Sequence, residues 1–241
     1  MSFRYTSLST NPVRGDSVPY ADAHAFIKWV FAWMGLGLLV TTIVGYFVST
    51  NEGLQLQIAR NPVLLFGALI AEIVLVMVLS WAMGRLSPTL AAALFLIYAA
   101  LNGVTLSFIT LVYAESTIVT ALITATILFA TLAVFGFTTS IDLSQFRGLL
   151  IVGVIGVGVA LLVNIFLRSD TFGFLISIVG VIVFLGLTAW DTQAIKHMAV
   201  SPEVRDNPAN ASKYAIYGAL KLYLDFINLF LFILRILGRR R

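Results

Sequence analysis

The sequence predicts an all-α integral membrane protein. Of its 241 residues, 60% are hydrophobic and only 11% are charged, whereas about 25% of a soluble domain is charged. The mean hydropathy is +0.99, and the apolar residues form stretches of about 20, the length that crosses a bilayer as a helix. These values argue against an ordinary cytosolic enzyme, a disordered regulator and a nucleic-acid-binding protein.

Six stretches are clear candidates for membrane-spanning helices. They are residues 26–48, 62–83, 88–113, 117–138, 148–167 and 172–189. A seventh stretch, residues 214–237, is interrupted by Lys221 and Asp225. The connections are short, so we expect one helical domain over residues 26–241. Residues 1–25 are polar and lack the apolar core of a signal peptide, which predicts a flexible N-terminal tail.

The distribution of basic residues predicts a cytoplasmic N-terminus. The segments on the side of the N-terminal tail carry Arg4, Arg14, Lys28, Arg85, Arg147, Lys196, Arg205 and Lys213, and the opposite loops carry Arg60 and Arg168. Basic loops favour the cytoplasm. If the seventh helix crosses the membrane fully, the tail of Arg239, Arg240 and Arg241 lies on the side opposite the cytoplasm. A broken or re-entrant seventh helix returns the tail to the cytoplasm, and the sequence leaves both arrangements open.

The content of cysteine and histidine limits the chemistry that is available. The chain has no cysteine and only two histidines, His24 and His197. Disulfides, thiolate catalysis and cysteine-ligated zinc are therefore excluded, as is a metal site built from several histidines. We expect no tightly bound cofactor.

Two aspartates on consecutive spans are the principal candidate site. Asp191 lies near the end of the sixth span and Asp225 lies within the seventh, and an ionisable residue in a membrane span suggests function by default. Two carboxylates that share one site repel, so the pair is expected to share a proton or, when ionised, to bind Ca²⁺ through hard oxygen ligands. The alternatives are a solvated Asp191 and an Asp225–Lys221 ion pair, although we expect Lys221 to extend to the headgroups.

Three further polar residues are candidates for the same path. Asn228 follows Asp225 by three residues and shares its helix face. Glu72, midway along the second span, either hydrogen-bonds to a neighbouring helix or forms an acidic site in an ion pathway. Arg85 ends the second span, either as a plain stop signal or as a partner of Asp191 that closes a gate.

The C-terminal motifs resemble those of a known family. GVIVFLGLTAWDTQAIKHM and YLDFINLFLFILRILGRR, with AEIVLVMVLSWAMGRLSP and ALITATILFATLAVFGFTTSIDLSQF, are similar to segments of the Bax inhibitor-one, or transmembrane Bax inhibitor motif, family. Its bacterial YccA/YbhL-like branch is the most similar. The resemblance covers roughly residues 20–241. It implies seven transmembrane helices, six of them in two layers around a central C-terminal helix.

The resemblance also implies a function and a set of residues. Characterised members of the family act as pH-sensitive Ca²⁺ leak channels with a di-aspartyl sensor, which corresponds to Asp191 and Asp225, and with a glutamate that corresponds to Glu72. In bacterial members a basic residue at the end of helix two binds the helix-six aspartate. The matching position here is Met83, which leaves Arg85 as the candidate substitute.

The leading hypothesis is therefore a pH-sensitive calcium leak channel of the bacterial inner membrane. Its interactions would be with the lipid bilayer, calcium ions and protons. One alternative is a regulatory protein that binds a membrane partner such as a protease, and another is a proton-coupled cation transporter. An intramembrane aspartyl protease is disfavoured, because Leu222, Tyr223 and Leu224 precede Asp225 where that class has Gly-x-Gly. We expect no enzymatic activity.

Overall fold

The computed structural model describes residues 20–238, with side chains from residue 23 onwards. The expected flexible tail therefore lies mostly outside the described residues, as do Arg239, Arg240 and Arg241. The described part is helical and contains no strand. Its α-helices are α1 (Tyr20–Thr50), α2 (Glu52–Arg60), α3 (Pro62–Trp81), α4 (Pro88–Leu106), α5 (Ile109–Val112), α6 (Glu115–Thr138), α7 (Arg147–Leu167), α8 (Asp170–Ala199), α9 (Pro202–Arg205) and α10 (Pro208–Leu237).

Within the described residues, six helical segments are long and apolar enough to cross a membrane. They are Ala23–Thr50, Pro62–Trp81, Pro88–Val112, Glu115–Thr138, Leu143–Leu167 and Asp170–Ala199. Each corresponds to one of the six predicted stretches, with differences at the ends. The first helix begins at Tyr20 rather than at residue 26, and α8 continues to Ala199 rather than ending at residue 189.

The C-terminal helix α10 is continuous. It runs over 30 residues from Pro208 to Leu237, about 45 Å at 1.5 Å per residue. The alternative of a broken seventh helix is therefore wrong, because Lys221 and Asp225 are accommodated within regular helix. Both residues contact other helices of the protein rather than interrupting α10.

Side-chain caps and prolines fix the starts of three helices. An Asn or Ser accepts hydrogen bonds from the first free backbone N–H groups, and a proline follows at the first helical position, where no N–H is needed. The cap and proline pairs are Asn61 with Pro62 for α3, Ser87 with Pro88 for α4, and Asn207 with Pro208 for α10. These pairs place the boundaries of α3 and α4 where the apolar stretches begin.

The short helix α2 was not predicted, because it has only nine residues. It lies between α1 and α3, and its Gln55 is buried. The Gln55 amide donates to the carbonyl oxygen of Ser107 at 3.0 Å and to the hydroxyl of Thr110 at 3.2 Å. The helix is thereby tied to the connection between α4 and α5.

Helix α10 is the most extensively buried element of the bundle. It packs against α8, α1, α6 and α4, and Leu222, Tyr223 and Leu229 are fully buried. The spans α3 and α7 are peripheral, packing mainly against α4 and α8 respectively. Their outer faces expose large apolar side chains such as Phe166, 86% exposed, and Val63, 79% exposed. Such surfaces require lipid rather than water around them, so the chain is an integral membrane protein.

Close helix packing depends on glycine at two positions. A Cβ at Gly136 of α6 would collide with the carbonyl group of Ala189 in α8. A Cβ at Gly103 of α4 would lie 2.6 Å from the carbonyl oxygen of Thr41 in α1. Small residues let helix backbones approach closely in membrane proteins. The glycines therefore set the α6–α8 and α1–α4 distances.

Helices α1 and α6 enclose a cleft of about 880 Å³, here called the α1–α6 cleft. At one end of the bundle the two helices meet through Phe31 and Phe137, whose ring centroids are 6.1 Å apart. Towards the other end they separate, and Phe226, Ile227 and Phe230 of α10 form part of the lining between them. The cleft therefore reaches α10 between α1 and α6, although these three side chains are themselves buried.

Candidate functional site

An ion pair joins α8 to α10. The Lys221 ammonium donates to Oδ1 of Asp191 at 2.5 Å. The Asp191 side chain is 7% exposed and that of Lys221 is 22% exposed. An ammonium and a carboxylate compensate part of each other's desolvation when they are this close, which explains how both are accommodated in an apolar bundle.

Aromatic rings surround the Lys221 ammonium. It lies 4.7 Å from the ring centroid of Trp190 and 5.6 Å from that of Tyr217, within the range of cation–π attraction. The guanidinium of Arg147 lies 5.8 Å from the centroid of Trp190. The expectation that Lys221 extends to the headgroups is therefore wrong, as is the Asp225–Lys221 ion pair. Lys221 turns to α8 because a buried carboxylate is available there.

Asp225, four residues after Lys221 in α10, lies in the same cluster. Its side chain is buried, and within the described residues its Oδ2 atom has no hydrogen-bond partner. It interacts electrostatically with both Asp191 and Lys221. The structure thus brings the two predicted aspartates together, with Lys221 as a third member. We call this set the Asp191–Lys221–Asp225 cluster.

Asn228 does not take part in the cluster through a direct bond. Its Nδ2 donates to the carbonyl oxygen of Leu224 at 2.8 Å, within its own helix. Asn228 lies on a half-buried stripe of α10. The stripe consists of Lys221, Leu224, Asn228, Leu231 and Arg235.

Glu72 is hydrogen-bonded to the neighbouring helix. Its carboxylate accepts from the hydroxyl of Thr105 at 2.9 Å and from Nδ2 of Asn102 at 3.3 Å, so α3 is joined to α4. This contact realises the hydrogen-bonded alternative for Glu72.

A buried polar chain continues from Glu72 to α10 and α1. Nδ2 of Asn102 also lies 3.4 Å from the Tyr98 hydroxyl, and the rings of Tyr98 and Tyr223 pack edge to face. The Tyr223 hydroxyl lies 2.7 Å from Oγ1 of Thr41, which donates to the carbonyl oxygen of Ala99 at 2.8 Å.

Tyr98, Thr41 and Tyr223 were not among the residues predicted from the sequence. The available signal was a tyrosine two residues before Asp225 within an otherwise apolar segment. A buried hydroxyl requires a partner, so that tyrosine indicated a contact with another helix.

Arg85 is not brought to Asp191. It is exposed in the short 3₁₀ turn Met83–Arg85 that follows α3, and within residues 20–238 the only ion pair of Asp191 is with Lys221. Met83 is buried. The resemblance implied that a basic residue at the end of the second span, here α3, binds Asp191. In this structure Lys221 of α10 binds Asp191 instead.

The acidic residues do not form a ready-made metal site. No group of three or more His, Asp or Glu side chains that could hold a metal ion occurs among the described residues. Ca²⁺ takes six to eight oxygen ligands, and Asp191 and Asp225 offer at most four, one of which binds Lys221.

Comparison with known families identifies the chain's relatives. The family model described as "Inhibitor of apoptosis-promoting Bax1" matches residues 23–241. The chain belongs to this Bax inhibitor family. The prediction made from the C-terminal motifs is confirmed, and the matched range contains Glu72, Asp191, Lys221 and Asp225.

Relatives of this Bax inhibitor family member occur in distant bacteria. It is 41% identical to inner membrane protein YbhL of Escherichia coli K12 over 230 residues, 95% of this chain and 98% of the relative. It is 41% identical to an uncharacterized protein of Borreliella burgdorferi over 216 residues, 90% of this chain and 92% of the relative. It is 38% identical to an uncharacterized membrane protein of Streptococcus pyogenes serotype M3 over 218 residues, 89% and 92% of the two chains.

Proposed function

We propose that this chain is a pH-sensitive calcium leak channel, gated by Asp191 and Asp225. The observation that carries the proposal is the Lys221–Asp191 ion pair between α8 and α10, with the buried Asp225 carboxylate beside it. Cations pass without a tightly bound cofactor and without catalysis. Ionisable groups inside a membrane protein typically serve ion or proton movement.

The proposed gate is the contact between α8 and α10. With Asp191 ionised, the Lys221 ammonium holds the two helices together. Protonation of Asp191 removes the negative charge that binds Lys221. The protonation state of Asp225 then determines how much negative charge remains near the Lys221 ammonium. A proton thereby shifts the population between two positions of α10, as a two-state switch requires.

The α1–α6 cleft supplies a route towards this gate. Its lining includes Phe226, the residue next to Asp225, and Thr41, which is bonded to Tyr223. The lining also contains hydroxyl side chains, among them Thr42, Ser49, Thr110 and Thr126, alongside apolar residues such as Leu106 and Ile118. Glu72 lies on the other side of the Tyr98 and Tyr223 pair, where it would attract cations.

The proposed topology follows from the helix lengths and the basic loops. We propose that α10 crosses the membrane as a seventh helix in the centre of the other six. The basic loops then favour a cytoplasmic N-terminus, and the name of the Escherichia coli relative supports the inner membrane as the location.

The test is Ca²⁺ entry into dye-loaded proteoliposomes between about pH 8 and about pH 5. Wild type is compared with Asp191→Asn, Asp225→Asn and the double variant, and the exposed Asp206→Asn serves as the matched control. We expect flux whose pH dependence is lost in the cluster variants and kept in Asp206→Asn. No flux at any pH from folded wild-type protein would contradict the proposal.

A second candidate is a regulatory protein that binds a membrane partner. A cavity of about 590 Å³ between α1, α4, α9 and α10 favours it, because the lining includes Trp29 and Trp33 and Trp29 is 61% exposed. Exposed aromatic side chains are common in binding surfaces. Purified protein would then show no flux, whereas Trp29→Ala would impair binding of the partner in membranes.

A further inference from the structure

The Lys221 ammonium occupies the position at which a cation would meet the aspartate pair. It is bonded to Oδ1 of Asp191 at 2.5 Å and interacts electrostatically with Asp225. The Asp225 side chain is buried, and its Oδ2 atom has no hydrogen-bond partner within the described residues. When all three groups are ionised, the two carboxylates are opposed by one positive charge supplied by the protein itself.

The position of this ammonium is fixed by both helices. Trp190 of α8 contributes its ring at 4.7 Å, and Tyr217, one turn earlier in α10, contributes its ring at 5.6 Å. Together with the bond to Asp191, three contacts hold the charge. These contacts favour the position of the ammonium beside Asp191 over other positions of the side chain.

A fixed ammonium opposes the entry of a divalent cation in two ways. It takes one of the few carboxylate oxygens that Ca²⁺ could use, and it repels a second positive charge at short range. To admit Ca²⁺, Lys221 must leave Asp191 and remain in the bundle without its partner. Separating one member of a buried ion pair is strongly unfavourable.

We propose that Lys221 is a tethered cation that excludes divalent cations from the Asp191–Asp225 pair. The inference deepens the proposed function and rests on it for the role of the pair. In this proposal Asp191 and Asp225 act in gating and do not bind Ca²⁺ in the resting protein. Ca²⁺ that crosses the protein therefore does not dwell between these two carboxylates while Lys221 is in place.

The experiment measures binding of Tb³⁺, a luminescent substitute for Ca²⁺, to protein in detergent micelles. The tryptophans of the protein are excited, and Trp190 is the one that contacts the cluster. Wild type is compared with Lys221→Met, which removes the charge and keeps the aliphatic chain, and with Lys221→Arg, which keeps the charge. We expect weak binding by wild type and Lys221→Arg. Half-saturation of Lys221→Met is expected at a concentration at least about tenfold lower, with Ca²⁺ displacing the Tb³⁺.

A further variant assigns the gain to the cluster. In the Lys221→Met background, Asp191→Asn is expected to abolish the added binding. A gain that survives this substitution would overturn the proposal, since the added Tb³⁺ would then lie elsewhere. Tight binding by wild type, or no gain in a Lys221→Met protein with wild-type circular dichroism and elution volume, would also overturn it. If Lys221→Met does not fold, Lys221→Gln is measured against the same two outcomes.

Failure of this inference is distinguishable from failure of the channel proposal. Tb³⁺ binding is measured without a membrane, and flux is measured in proteoliposomes. Added binding in Lys221→Met without flux in wild type contradicts the channel and supports the tethered cation. Flux in wild type without added binding in the variant contradicts the tethered cation and leaves the channel.

Discussion

Tyr223 is the residue that connects α10 to two other helices at once. It is fully buried, its hydroxyl lies 2.7 Å from Oγ1 of Thr41 in α1, and its ring packs edge to face on Phe95 and Tyr98 of α4. It also precedes Asp225 by two residues. The ring and the hydroxyl thus make separate contributions to the position of the cluster.

Substitutions at Tyr223 should separate these two contributions. Tyr223→Phe keeps the ring and removes one hydrogen bond, while Thr41 keeps its bonds to Gly37 and Ala99. We expect a loss of about 0.5–1.5 kcal/mol in the free energy of unfolding. Tyr223→Ala removes the ring as well and should cost about 3–5 kcal/mol. Denaturant unfolding in detergent measures both, and equal losses would contradict the separation.

At the scale of elements, the α6–α8 contact sets the distance between α6 and α8, the helix that contains Asp191. Gly136 of α6 faces the backbone of Ala189, two residues before Asp191, with no room for a side chain. A larger residue must therefore move one of the two helices. The atoms that face Gly136 belong to the backbone of Ala189, and backbone cannot rotate away as the end of a flexible side chain can. An added side chain therefore forces the helix backbones apart, which destabilises a packed interior.

Gly136→Ala is expected to destabilise the protein by about 1–3 kcal/mol. The matched control is Gly156→Ala in α7, where nothing lies within 4 Å of the added Cβ. There the better helix propensity of alanine should leave stability unchanged or raise it by up to about 1 kcal/mol. Thermal unfolding of both variants in the same detergent compares them. A melting temperature for Gly136→Ala at or above that of the control would contradict the packing argument.

At the scale of the whole molecule, the absence of cysteine makes topology directly measurable. A single introduced cysteine is the only thiol in the chain, so an impermeant thiol reagent reports one position at a time. If α10 crosses the membrane, Glu52→Cys and Leu237→Cys label from the same side. Ser144→Cys and Asp206→Cys should label from the other side, in inverted vesicles. Labelling of Leu237→Cys together with Asp206→Cys would show that α10 does not cross.

The six spans could be predicted because helices that contact lipid have an apolar composition. Peripheral helices such as α3 and α7 must be apolar on the faces that meet lipid, and that requirement appears in any window of about 20 residues. Helix α10 meets mainly protein, so it could retain Lys221, Asp225 and Asn228. Its reduced hydropathy therefore suggested an interruption where the structure has a continuous helix.

Some members of the site could be predicted because a single charged residue in an apolar span indicates function. Asp191, Asp225 and Glu72 stand out in apolar segments, and the position of the two aspartates on consecutive spans predicted that they share one site. The partner of Asp191 could not be predicted in this way. It depends on the rotation of α8 relative to α10 about their axes, and Lys221 lies 30 residues away along the chain. Local spacing contains no information about that angle.

The α1–α6 cleft has a consequence for the way α10 can move. A close-packed helix can move only into free volume, and this cleft lies beside Phe226, Ile227 and Phe230 in the second half of α10. The first half is tied to α8 through Lys221. The Lys221–Asp191 bond lies near the middle of α10, and the unfilled volume lies beside the half that follows it. A rotation of α10 about that bond would therefore change the width of the cleft, whereas a sliding of the helix along its axis would not.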